Sequence, residues 1–128
     1  MTDRITRSVS VSTPDGISAT IADYQDVEVV EKIEVTAVKN SVPMVVAVHP
    51  TGTPVQSVII TAERYTDLAL AVGMGSPITL DGALELQGAG LVALLGVDTS
   101  AMTFINSSAT EDNDITIIIG RDAVLQGQ

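Results

Sequence analysis

The sequence predicts an all-β chain: a single antiparallel β-sandwich or jelly-roll-like domain of about eight or nine strands, spanning residues 1–128. Three observations carry this expectation. Apolar and polar residues alternate through most of the chain, turn-forming residues recur at the spacing of short strands, and the apolar content is aliphatic. The chain is 45% apolar yet has no Trp, one Phe (Phe104) and two Tyr (Tyr24 and Tyr65), so Val, Ile, Leu and Ala must fill the core. A chain of 128 residues is long enough to bury one.

The alternation begins at the N-terminus. "ITRSVSVS" sets Ile5, Val9 and Val11 on one face and Thr6, Ser8, Ser10 and Ser12 on the other. "ISATIADY" (17–24) groups Ile17, Ala19 and Ile21. In "VEVVEKIEVTAV" (27–38), Val27, Val29, Ile33, Val35 and Ala37 share a face with Glu31, while Glu28, Lys32, Glu34 and Thr36 point the other way. Helical spacing from Val27 would instead gather Glu31 and Glu34, so this is a half-buried strand. The continuous runs "MVVAV" (44–48), "VQSVIIT" (55–61) and "ITIII" (115–119) read as strands buried on both faces. Residues 61–72 fit two templates. Tyr65, Leu68 and Val72 have helical spacing, whereas Leu68, Leu70 and Val72 alternate, so a short helix and a strand remain equal alternatives.

Between these runs lie "TPDG" (13–16), "KNSVP" (39–43), "HPTGTP" (49–54), "GMGSP" (73–77), "LDG" (80–82), "QGAG" (87–90), "GVDTS" (96–100) and "NSSATEDND" (106–114). Each supplies Gly, Pro, Asn or Asp where the backbone must reverse. Residues 33–50 echo residues 101–120: each is a strand, an Asn-Ser loop and an aliphatic strand. They read as two similar hairpins, not as a duplication.

Charge and composition exclude several functions. The formal net charge is −10, with Arg4, Arg7, Lys32, Lys39, Arg64 and Arg121 as the only cations. Nucleic acid and anionic membranes, which are held by clustered Lys and Arg, are therefore not expected partners. With no cysteine there is no disulfide, thiolate chemistry or cysteine-held metal. The N-terminal stretch carries no apolar signal-peptide core, and no apolar run approaches a membrane span, so synthesis in the cytoplasm without an export signal is expected.

Candidate chemical sites were weighed in turn. Glu111, Asp112, Asn113 and Asp114 could contribute oxygens to calcium, but the loop lacks the central Gly and the distant bidentate Glu of such sites. It reads better as a solvated hairpin tip whose carboxylates guard the aggregation-prone strand that follows. His49 is the only histidine, and "GxSxG" is absent, so it reads as a turn residue before Pro50. "GMGSP" and "GAGLVALLG" lack the Lys-Ser/Thr of a phosphate loop. "NSS" at Asn106 matches the glycosylation pattern but has no secretion signal to support it. No catalytic, cofactor-binding or metal-ligating residue is assigned, and no cofactor is expected.

Charged residues are only 17% of the chain, below the ~25% of ordinary domains. Part of the surface should therefore be apolar and suited to meeting other subunits. The run "ALELQGAGLVALLGVDTSAMTFINSSATEDNDITIIIGRDA" (83–123) resembles the C-terminal part of tailed-phage virion structural proteins, particularly head decoration or fibre-base β-sandwiches. That resemblance implies a virion protein, commonly trimeric, on the surface of a major capsid protein shell. The expected function is thus a non-enzymatic structural subunit, a capsid decoration or head-associated homo-oligomer. The alternative is a β-sandwich binding module for carbohydrate or a cell-surface partner, disfavoured by the scarcity of aromatics. An enzyme ranks third.

Overall fold

A computed structural model describes residues 3–50, 54–73, 75–95 and 99–122, with the side chains of residues 23 and 25 not described. The turns expected at 49–54, 73–77 and 96–100 fall partly on residues 51–53, 74 and 96–98, which lie outside the described residues. The described strands are β1 (Asp3–Ser12), β2 (Ser18–Val27), β3 (Val29–Ala37), β4 (Met44–Ala47), β5 (Val55–Ala62), β6 (Leu68–Val72), β7 (Ile78–Thr79), β8 (Leu84–Gln87), β9 (Ala101–Asn106) and β10 (Asn113–Arg121). A short helix α1 (Ala89–Val92) continues into a single 3-10 turn, Ala93–Leu95.

Eight strands form two antiparallel sheets, ordered β3-β10-β5-β8 and β4-β9-β6-β7. The connections β3–β4, β5–β6, β7–β8 and β9–β10 each cross from one sheet to the other, which is the jelly-roll arrangement of a sandwich. The all-β expectation holds, with ten strands in place of eight or nine. The extra strands arise because β1 and β2 form a separate two-stranded ribbon outside the sandwich, where β1 pairs with β2 from Asp3↔Val27 to Ser12↔Ser18.

The two sheets enclose one core. Ile115, Ile117 and Ile119 of β10 face Val58 and Ile60 of β5 on one side and Ile33 and Val35 of β3 on the other. Opposite them stand Leu68, Leu70, Met102, Phe104 and Val46 of the second sheet. The predicted parity of residues 27–38 holds, since Ile33 and Val35 pack on the core and Lys32 and Glu34 are exposed. The run breaks at Glu28, whose N–H donates to the carbonyl of Arg121, so that β2 leaves for the ribbon.

Two expectations are corrected, and the open choice between helix and strand at residues 61–72 is decided for the strand. Residues 61–72 are not helical: β5 runs to Ala62, a loop follows, and β6 starts at Leu68. Tyr65 lies in that loop, accepting the Ala62 N–H at 3.1 Å, and so does not extend a helical stripe. The echoing segments are not hairpins. β3 and β4 lie in different sheets, as do β9 and β10; β3 instead pairs with β10, and β4 with β9. The runs 44–48 and 115–119 are not buried on both faces. Val45 is 70% exposed and Ala47 is exposed, while Thr116 and Ile118 are half-buried. In 44–48 the exposed aliphatics mark a sheet whose outer surface lacks charged residues, whereas 115–119 is the partly covered interior strand of the other sheet.

The register makes one test direct. Ile33→Ala should lower unfolding free energy by about 2 kcal/mol, the low end for an Ile→Ala change because β3 is an edge strand. Lys32→Ala should cost well under ~0.5 kcal/mol. Urea denaturation of the two variants checks this, and equal losses would contradict the register.

Candidate functional site

One end of the sandwich gathers the residues that looked most like chemistry. The β3–β4, β5–β6 and β9–β10 loops meet there, and Asn106 and Asn113, each 1% exposed, hold them together. Asn106 Nδ2 donates to the carbonyls of Ala37 (3.0 Å) and Glu111 (2.8 Å), and its Oδ1 accepts the Ser108 N–H. Asn113 exchanges both hydrogen bonds with the backbone of Arg64: Oδ1 accepts the N–H at 3.2 Å and Nδ2 donates to the carbonyl at 2.6 Å. Asn40, Ser41 and Asp67 adopt left-handed φ of 70°, 60° and 63° to make these turns.

The carboxylates of the acidic loop are engaged in the same framework. Asp112 accepts the Lys39 N–H at 3.0 Å, Asp114 accepts the Thr36 hydroxyl at 2.7 Å, and Glu111 pairs with the Arg64 guanidinium at 3.3 Å. Arg64 also donates to the Asp112 carbonyl. The loop is therefore not a hairpin tip but a crossover between sheets, and its acids tie it to two neighbouring loops. Among the described residues, no three His, Asp or Glu side chains are grouped to hold a metal ion. Asn106 is buried with its amide committed, so it offers no glycosylation acceptor.

His49 lies at the opposite end. Its Nδ1–H donates to the Pro50 carbonyl at 2.8 Å, leaving Nε2 to accept the hydroxyl of buried Thr99, also at 2.8 Å. The Nδ1 bond fixes the ring within its own turn, and the Nε2 bond joins the β4–β5 and β8–β9 connections. Close by in the fold, the buried Arg121 guanidinium pairs with Glu31 and donates to the Asp122 carbonyl.

The arm at this end is the feature that sequence reading did not isolate. Alternation puts Ile5, Val9, Val11, Ala19, Ile21 and Val27 on one face of the β1–β2 ribbon, together with Asp3, Arg7 and the register positions of Asp23 and Gln25 near its foot. The other face carries Arg4, Tyr24 and Asp26. Arg4 Nε donates to Asp26 Oδ1 at 2.8 Å, and the guanidinium lies 4.0 Å from the Tyr24 ring centroid. The hydrogen bond to Asp26 raises the Arg4 pKa, and its counterpart from Arg4 lowers that of Asp26.

Only the foot of the arm is seated. A Cβ on Gly120 would meet Ile5 Cδ1 at 2.6 Å, Val27 Cγ1 at 3.0 Å and Ser57 Cβ at 3.3 Å, so the missing side chain is what admits the foot. Gly120 lines up with Ser57 and Gln87 across the outer face of the first sheet, and these two side chains are buried without a hydrogen-bond partner within the chain. Covering such groups costs roughly 1–3 kcal/mol each, so the seat is a weak one. Every residue from Val11 to Ala22 is exposed, including Val11 (55%), Ile17 (65%) and Ile21 (47%). At the tip, Gly16 takes φ 93° and the Thr13 N–H bonds the Ile17 carbonyl, closing a turn that extends the ribbon to its full length.

The second unusual surface is the outer face of the β4-β9-β6-β7 sheet. Registered rows there read Val45–Thr103–Ala71, Ala47–Ala101 and Ile105–Ala69–Thr79, with no charged residue. The outer face of the other sheet carries Lys32, Glu34, Glu85 and Asp114, all exposed. One face is thus solvated as expected, and the other is small, apolar and neutral in a chain of charge −10.

Comparison with protein-family models, curated proteins and solved structures gave no match.

Three substitutions probe the two ends. Asn106→Ala should cost about 2–3 kcal/mol, because the carbonyls of Ala37 and Glu111 lose their donor in a buried setting, whereas Asp112→Ala should cost less than ~1 kcal/mol. Thermal melts of both variants measure this. Gly120→Val should expel Ile5 and Val27 from their seat. Hydrogen exchange across residues 3–27 should then accelerate while the sandwich strands keep their protection.

Proposed function

We propose that this chain is a non-enzymatic structural subunit that assembles through its surfaces. On the resemblance of residues 83–123, we further propose that it is a decoration or head-associated protein of a tailed-phage virion, placed on a shell of major capsid protein. The observation that carries the assembly reading is the pair of uncovered apolar surfaces, on the arm and on the second sheet. A sequence alternates apolar and polar residues when one face is to be buried, yet the outer part of the arm buries neither face. An isolated two-stranded ribbon is marginal in water, so a partner must supply the missing cover. The jelly-roll fold hosts capsid, lectin and enzyme domains alike and does not itself choose among them.

The three aromatic rings speak against the carbohydrate module. Phe104 is fully buried, Tyr65 packs on the core, and Tyr24 lies beneath Arg4. Only Tyr24 is exposed, at 54%, and Arg4 already occupies one face of its ring, so no pair of rings is offered for stacking a sugar.

Sedimentation at micromolar concentration should show a species of at least twice the 13.3 kDa chain mass, with three copies expected from the family resemblance. A chain that stays monomeric and soluble at millimolar concentration would refute the assembly reading. Co-sedimentation with purified shells of a tailed-phage capsid tests the virion assignment separately.

A further inference from the structure

We infer that the β1–β2 arm of one copy lies across the neutral outer face of the β4-β9-β6-β7 sheet of a second copy, so that each subunit gives one arm and receives another. This rests on the structural-subunit reading and specifies its interface.

The placement of the two surfaces forbids the contact within one chain. Gly120 alternates with the core-facing Ile119, so the arm foot sits on the outer side of the first sheet. The neutral face is the outer side of the second sheet, across the thickness of the sandwich. Two sheets packed face to face stand about 10 Å apart, and as folded the arm foot and the neutral face lie on opposite sides of them. The arm can cover such a face only on a neighbour.

Chemistry favours a copy of this chain as that neighbour. Each molecule carries −10, so copies repel except where both approaching surfaces lack charge. Beyond Arg7, the apolar face of the arm is uncharged at Val9, Val11, Ala19 and Ile21, and so are the eight registered outer positions of the second sheet, with Asp67 at their loop-end margin. Size is matched as well. The arm offers branched side chains, while the sheet offers Ala47, Ala69, Ala71 and Ala101, on which larger side chains can interdigitate. A shallow depression of about 300 Å³ beside Ala69, Thr79 and Ile105 adds relief at the margin of that face, where Asp67 and Ser107 complete its wall.

Magnitude then selects the form of assembly. At about 4.8 Å between strands and ~6.8 Å between same-face residues, the eight outward positions cover roughly 260 Å² of sheet plane. A stable pair buries about 800 Å² on each partner, so a single arm-on-face contact is weak. The two patches are different, so every subunit makes the contact twice, either in a reciprocal two-fold pair or in a closed ring. An arm-for-arm exchange in a two-fold dimer would leave the neutral sheet face bare.

The chain has no cysteine, which makes disulfide trapping clean. Single variants Val9→Cys, Val11→Cys and Ile21→Cys on the arm would be mixed in pairs with Ala47→Cys, Ala71→Cys and Ala101→Cys on the face, under mild oxidation. Mixed arm–face disulfides should exceed either homodisulfide several-fold for at least one pairing. Val45→Glu, at a position 70% exposed, should weaken association at least tenfold in sedimentation while leaving the circular dichroism and melting of the chain intact. An oligomer that yields only face–face or arm–arm disulfides, or none, overturns this interface and leaves the structural-subunit reading standing. A monomer overturns both.

Discussion

The register of β10 is the constraint on which the rest of the molecule depends. Its odd residues Ile115, Ile117 and Ile119 form the centre of the core, held between β3 and β5. Because side chains alternate with a period of two, a slip of one residue would exchange them for Thr116, Ile118 and Gly120. The same slip would undo both ends of the sandwich. Asn113 would leave the Arg64 backbone, and Gly120 would leave the foot of the arm. Arg121 would move away from Glu31, leaving a buried guanidinium unpaired. Three isoleucines thus set the position of a loop clamp at one end of the sandwich and of a glycine seat and an ion pair at the other.

The two ends so positioned are physically opposite. At the loop end, buried asparagines and exposed acids satisfy the backbone of three crossovers, and the polar groups there are used within the chain. At the arm end, Ser57 and Gln87 lie buried without partners, and a row of β-branched residues projects into solvent. A chain that spends its polar side chains on one end and leaves apolar ones uncovered at the other is internally consistent only if the second end meets something. Rigidity of the crossovers serves this. A firmly tied sandwich holds the neutral face flat while the arm remains free to settle against its target.

Much of this was legible in the residues. Period two marks β1, β2 and β3 without ambiguity, and the inward set Val29, Ile33 and Val35 follows from it. The acidity and the shortage of charge point to solvated loops and to bare apolar surface. Other features were hidden for identifiable reasons. Alternation says which face of β1 and β2 is apolar but not what covers it, so the ribbon read like any other hairpin of a sandwich. A run such as "MVVAV" signals burial on both faces when the neighbour is within the chain. It signals an outer apolar face when the neighbour is another molecule, and no local pattern separates the two. The echo of residues 33–50 in 101–120 was visible, but its meaning was not. Asn-Ser loops can close a hairpin or carry a strand to the opposite sheet, and only the pairing of β3 with β10 and β4 with β9 decides.

Edges explain why a face, and not a strand, is the surface on offer. Sheets with long bare edges recruit further strands and aggregate. Here the edge strands β4, β7 and β8 are four, two and four residues long, too short to template an extended partner. The remaining edge, β3, spans nine residues but carries Glu31, Lys32 and Glu34, with Lys32 and Glu34 paired at 3.1 Å. Charges on such an edge oppose the approach of another strand. Backbone pairing is thereby blunted on all four sides of the sandwich, while side-chain packing is left open on one neutral face and one arm. Association by side chains depends on the match of two particular surfaces, whereas strand addition accepts almost any extended chain. In the proposed assembly such surfaces would join selected neighbours and stop, which suits a complex of defined size better than a growing fibril.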